Sequence, residues 1–144
     1  MIIGVPREIK PDENRVSITP AGVHEFVKRG HRVLVEQNAG TGSGFSDAEY
    51  VREGAVIINS VRDLFRDAEM IIKVKEPQPS ELDLFRKGQV LYAYLHLAPD
   101  KELTARLVEK QVIAIAYETI EVDHKLVCLE PMSEIAGKMA VCII

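Results

Sequence analysis

Hydrophobic positions along the chain come in short, unbroken runs rather than in strict alternation. Ile2–Val5, Arg32–Glu36, Ala55–Ile58, Met70–Lys73, Val90–Tyr94 and Val112–Ala116 are each largely apolar and bounded by polar or turn residues. Such runs predict strands covered on both faces, as in a parallel sheet. The segments between them carry helical spacing and helix punctuation. Thr19-Pro20 sets a capping hydroxyl before a proline at the first helical position; Val23, Phe26 and Val27 follow at helical spacing, and Gly30 stops the run. Ser46-Asp-Ala-Glu49 is a capping-box pattern, starting a helix that ends at Gly54. Further helices are predicted from Ser60 to Phe65, Ser80 to Phe85, Asp100 to Lys110 (with Leu103 and Leu107 one turn apart) and Ser133 to Ile144. Ile120–Val122 and Leu126–Cys128 flank Asp123-His124-Lys125 as a small hairpin near the C-terminal end. Strand and helix alternate throughout. The pattern therefore predicts an α/β fold, doubly wound, with a mostly parallel sheet and helices on both faces, of Rossmann or flavodoxin type.

Composition narrows the function classes. A chain of 144 residues, 47% hydrophobic and 28% charged, suits one globular domain. A formal net charge of -4 with no basic run gives no footprint for nucleic acid. No apolar run approaches the roughly 20 residues that span a bilayer, and Arg7 and Glu8 arrive too soon for a signal peptide. Cys128 and Cys142 match no metal or redox spacing, which points to a reduced, cytoplasmic compartment. Gly40-Thr-Gly-Ser-Gly44 lacks both the Gly-Lys-Ser/Thr ending and the Gly-x-Gly-x-x-Gly register, so it predicts a turning loop rather than a phosphate cradle.

Chemistry concentrates where strands end, the edge at which open α/β sheets bind ligands. His96 closes the Val90 strand, and an imidazole is the side chain suited to proton transfer at neutral pH; a backbone-bonded core histidine is the alternative. Lys75 closes the Met70 strand and could hold a carboxylate, with a solvated lysine as the alternative. Lys73 lies two residues earlier, so in a regular strand both would share one face. Arg15, in the Pro6–Val16 loop after the first strand, could grip a carboxylate with two hydrogen bonds or lie on the surface. Glu118 follows the Val112 strand and could orient a histidine, ligate a metal or simply face water.

Several motifs together resemble a known family. Met1-Ile-Ile-Gly-Val-Pro-Arg-Glu8, Glu13-Asn-Arg-Val16, Thr19-Pro-Ala-Gly-Val23, Lys73-Val-Lys-Glu-Pro77, Leu95-His-Leu-Ala98, Ala116-Tyr-Glu-Thr119 and Pro131-Met-Ser-Glu-Ile-Ala-Gly137 look like the N-terminal part of alanine dehydrogenases, collinear over nearly the whole chain. Proton-translocating transhydrogenases share the first motif but lack the histidine at 96 and the full Lys-Val-Lys-Glu-Pro pattern. The resemblance implies an NAD-dependent oxidative deamination of L-alanine to pyruvate and ammonium. Arg15 and Lys75 would bind the substrate carboxylate, and His96 would act as acid and base as water adds to the imine and the carbinolamine collapses. Tyr94 and Met132 would line the pocket, Ser133 would sit on the cofactor side, with helix N-cap as its plain role, and Glu118 would be a magnesium ligand.

The family continues into a nucleotide-binding domain whose glycine fingerprint is not in these residues. The expectation is a substrate-binding domain over 1–132, with 133–144 starting the helix that leads to an NAD-binding domain. The apolar run Met139–Ile144 has no polar cap, as expected of a helix that continues. Ile135, Met139 and Cys142 form a stripe that predicts pairing with a second copy, hence a homo-oligomer. Two rival readings are the equivalent domain of a transhydrogenase and a non-catalytic binding or oligomerisation module.

Overall fold

The structure, a computed structural model, describes residues 1–142, with side chains for 1–140. Six parallel strands form one sheet: β1 (Ile2–Val5), β2 (Arg32–Glu36), β3 (Val56–Ile58), β4 (Met70–Lys75), β5 (Val90–Tyr94) and β6 (Ile113–Ala116). Their spatial order is β3-β2-β1-β4-β5-β6. The strand order thus reverses between β1 and β4, which opens a crevice beyond their carboxyl ends. A second, antiparallel pair, β7 (Glu121–Val122) and β8 (Lys125–Leu126), is the expected hairpin. Its two-residue turn, Asp123-His124, has positive φ at both positions, +48° and +61°, as a mirror-image hairpin turn requires.

Helix starts follow the predicted chemistry. Thr19 Oγ1 accepts from the Gly22 N–H at 3.3 Å ahead of α1 (Pro20–Lys28). Ser46 and Glu49 close a reciprocal capping box on α2 (Asp47–Arg52), and Ser60 caps α3 (Val61–Asp67). A short α4 (Pro79–Leu82) follows β4, and Asp100 caps α5 (Lys101–Glu109).

Two apolar clusters show which helices cover which face. On one side, α1 and α2 pack Val23 and Tyr50 against Val5, Val33 and Val35. On the other, α3, α4 and α5 pack Leu64, Phe65, Leu82, Leu103 and Leu107 against Ile71, Leu91 and Ala93. Helices therefore lie on both faces, as the alternation predicts. Coverage is nevertheless incomplete, and here the sequence expectation is corrected. Val112–Ala116 reads as a buried strand, yet β6 is an edge strand with Ile113 53% and Ile115 39% exposed. In β5 the buried positions are Leu91 and Ala93, while Tyr92 and Tyr94 are only partly covered. Both helices of the first face stand over β1–β3, so the half formed by β4, β5 and β6 stays open.

The last helix also departs from expectation. It runs from Glu130 to Cys142 as α6, three residues earlier than the Ser133 start, and the Ser133 N–H donates to the Leu129 carbonyl at 3.0 Å. Ser133 therefore lies inside the first turn and is not its N-cap. Pro131 suits a first turn because it has no N–H to satisfy there, and Glu130 complements the helix dipole. Of the predicted stripe, Ile135 and Met139 are exposed; the Cys142 side chain and residues 143–144 lie outside the described residues.

Candidate functional site

The two elements that flank the switch point carry the cations. The loop after β1 brings Arg15 over the sheet edge, and β4 ends at Lys75, which pairs in register with Tyr94 of β5. One irregularity decides which lysine is available. Ile72 pairs with Tyr92 but Lys75 pairs with Tyr94, so β4 carries one extra residue and the alternation of faces breaks. The expectation that Lys73 and Lys75 share a face fails for this reason. Lys73 is fully buried, with its ammonium 2.7 Å from Glu81 Oε1 and 3.2 Å from Glu8 Oε2. Lys75 is partly exposed.

Arg15 and Tyr94 line one cavity of about 580 Å³ on the open half of the sheet, together with Ile72, Tyr92, Tyr117 and Met132. The tyrosines pack closely: Tyr117 lies 4.1 Å from Tyr92 and 4.8 Å from Tyr94 between ring centroids. The Tyr94 hydroxyl donates to the Cys128 carbonyl at 2.6 Å, which ties the turn between β8 and α6 to β5. Burial pushes the Tyr117 phenol well above its ordinary range, and Tyr94 is raised by the same cause. Neither phenol ionises near neutral pH, so both present hydroxyl and ring rather than charge.

Arg15 is not idle. Glu13 takes its Nε at 2.8 Å and its Nη2 at 2.6 Å, and this pairing raises the guanidinium further while holding the Glu13 carboxyl below its usual range. Lys75 adds a smaller electrostatic depression of the same carboxyl. Glu13 carries no predicted role beyond its place in the Glu13-Asn-Arg-Val16 motif; the signal for it is its position two residues before Arg15.

His96 follows β5 in the left-handed region, φ +48°, and its side chain is exposed. Its backbone is anchored instead: the N–H groups of Leu95 and His96 both donate to Glu118 Oε1, at 3.0 and 2.7 Å. Glu118 thus fixes the turn that presents His96. A carboxylate whose Oε1 already accepts from two amides fits a magnesium ligand poorly. The structure therefore brings Arg15, Tyr94 and Met132 to one cavity and sets Lys75 beside Tyr94. His96 lines none of the main cavities, and Ser133 is exposed on α6.

Nicotinamide dinucleotides are usually held at the first strand–helix turn by a glycine fingerprint and a helix N-terminus. Here β1 is followed by a long charged loop, Pro6–Val16, before α1. The glycine-rich segment lies elsewhere, after β2, with Gly40 packed on Phe45 and Tyr50. These residues do not fit the phosphates of NAD.

Strand order, switch-point cations and an aromatic-walled cavity together define an open α/β domain suited to a small anionic organic ligand. Comparison with known proteins gives the family. The profile described as "Alanine dehydrogenase/PNT, N-terminal domain" matches residues 4–136, and the chain belongs to this family. Alanine dehydrogenase of Methanococcus maripaludis is 56% identical over 142 residues, covering 98% of this chain and 38% of that protein. Alanine dehydrogenase of Bacillus subtilis is 56% identical over 140 residues, covering 97% and 37%. A solved L-alanine dehydrogenase superposes with a TM-score of 0.96 at 48% identity, covering 99% of this chain and 40% of its own. A transhydrogenase from Sinorhizobium meliloti reaches 0.79 at 27% identity, covering 84% and 36%. The chain spans less than two fifths of the length of the curated relatives it matches.

Proposed function

We propose that this chain is the substrate domain of an NAD-dependent L-alanine dehydrogenase and that its ligand is the carboxylate shared by L-alanine and pyruvate. What supports the proposal is that Arg15 and Tyr94 line one cavity and that Lys75 stands in register with Tyr94 on the neighbouring strand, in a family whose relatives include alanine dehydrogenases. Arg15 and Lys75 supply the charge complement for the carboxylate. Tyr94 and Met132 wall the small side chain. His96, on a turn fixed by Glu118, moves protons at the substrate nitrogen and carbonyl oxygen.

NAD, on this proposal, is held by chain beyond these residues, with Ser133 on the side facing it. A cytoplasmic setting and a homo-oligomer paired through the exposed Ile135 and Met139 of α6 belong to the same reading. Among the described residues no helix is long and apolar enough to cross a membrane. The transhydrogenase alternative is weaker because that neighbour is the more distant of the two in both fold and sequence.

Calorimetric titration with pyruvate tests the proposal. A charge-assisted hydrogen bond contributes roughly 1.5–3 kcal/mol, so Arg15→Ala or Lys75→Ala should each weaken binding by about tenfold or more. His96→Gln should change binding less. Unchanged affinity in both cation variants overturns the proposal.

A further inference from the structure

A guanidinium can grip a carboxylate along either of two edges, Nε with Nη2 or Nη1 with Nη2. In this chain the first edge is taken. Glu13 Oε1 accepts from Arg15 Nε at 2.8 Å and Oε2 from Nη2 at 2.6 Å, and Oε1 also accepts from the Arg15 backbone N–H at 2.9 Å. The Glu13 side chain is only 7% exposed, whereas Arg15 is 46% exposed. A nearly buried carboxylate is thus spent wholly on orienting one half-exposed arginine. Nη1 and the outward hydrogen of Nη2, which make up the second edge, form no hydrogen bond to protein among the described residues, and Arg15 lines the cavity that Tyr94 walls.

We infer that Glu13 is a positioning residue: it locks Arg15 side-on, keeps its Nη1–Nη2 edge for an incoming carboxylate, and balances the Arg15 charge while the site is empty. The choice of a carboxylate ligand rests on the function proposed above; the lock is a property of the unliganded chain. An arginine on a mobile loop would have to give up rotamer freedom as the ligand binds. A prelocked one has already lost it. Glu13 also does not block the ligand, because it approaches from the edge that the ligand does not need.

The test uses the ¹⁵N-labelled chain and pyruvate. In the wild-type chain one arginine Nε–Hε resonance should exchange slowly with water and shift downfield, and it should vanish in Arg15→Lys. Because the Glu13 carboxyl titrates below its usual range, the signal should persist on acidification to below that range and then collapse. Glu13→Gln should remove it at every pH, with the melting temperature little changed. The same variant should weaken pyruvate binding by about three- to tenfold, and Glu13→Asp, which keeps the charge but shortens the reach, should fall between. Two results overturn the inference: fast exchange of that resonance in the wild type at neutral pH, or Glu13→Gln binding pyruvate as tightly as the wild type. A slow-exchanging signal in a chain that takes up no pyruvate upholds the lock and overturns the carboxylate site. Pyruvate binding that needs Arg15 but shows no such signal does the reverse.

Discussion

Replacing Lys73 with Met should cost this fold much of its stability. Lys73 is fully buried between two carboxylates, Glu81 at 2.7 Å and Glu8 at 3.2 Å, whose side chains are 4% and 2% exposed. Met matches the length and volume of the lysine stem, so the change leaves no large cavity and removes chiefly the charge. Two buried carboxylates would then face each other without a cation. Breaking a buried ion pair by removing one partner costs about 3–5 kcal/mol. Unfolding entropy of roughly 2.1 cal/mol/K per residue gives a chain of this length about 0.3 kcal/mol/K, so the melting temperature should fall by roughly 10–16 °C. Far-UV circular dichroism melts at neutral pH read this directly. Adding Glu8→Gln and Glu81→Gln to Lys73→Met should recover most of the loss, because the triple variant buries no charge. A shift below about 3 °C for Lys73→Met alone would refute the reasoning, since the triad would then be solvated rather than dry.

The same triad makes a pH prediction. Burial raises the Glu8 carboxyl above 4.5 in the folded state, so its contribution to stability is present below the unfolded value and is lost as pH rises through the folded one. Glu8→Gln should therefore look relatively more stable against wild type at pH 7 than at pH 4.5 in paired melts. Gly42→Ala should weaken pyruvate binding in calorimetry more than it lowers the melting temperature, because the added Cβ would press on the Asn14 carbonyl next to Arg15. Glu118→Ala should release the Leu95 and His96 amides, and hydrogen exchange at those two positions should speed up selectively. Exposed Ile135 and Met139 predict self-association, so sedimentation should show a dimer or larger that Met139→Glu reduces.

The parallel α/β fold was legible because strand runs and caps are local signals: Thr19, Ser46 and Ser60 each cap the helix they announce. Exposure of β6 was not legible. Ile113-Ala-Ile-Ala116 has the composition of a buried strand, and only the side on which each crossover helix lands decides its covering. Sequence places Lys75 at a strand end and Arg15 in the loop after β1, and the family resemblance adds Tyr94, but the extra residue in β4 that separates Lys73 from Lys75 leaves no mark in composition. Glu118 was seen as a carboxylate near the site, while its work on two backbone amides depends on the fold. For Ser133, a hydroxyl before a helical run suggested a cap, but Pro131 and Glu130 already begin the helix.

The most direct test of the central claim is to map pyruvate onto the chain by NMR. Resonances of Arg15, Lys75, Tyr94 and His96 should shift together along one binding curve with a single Kd, and those of residues on the α3–α5 face, such as Leu64 and Leu103, should stay still. Shifts scattered over the surface, or confined to His96 while Arg15 and Lys75 do not move, would contradict a shared carboxylate site at the β1/β4 switch point.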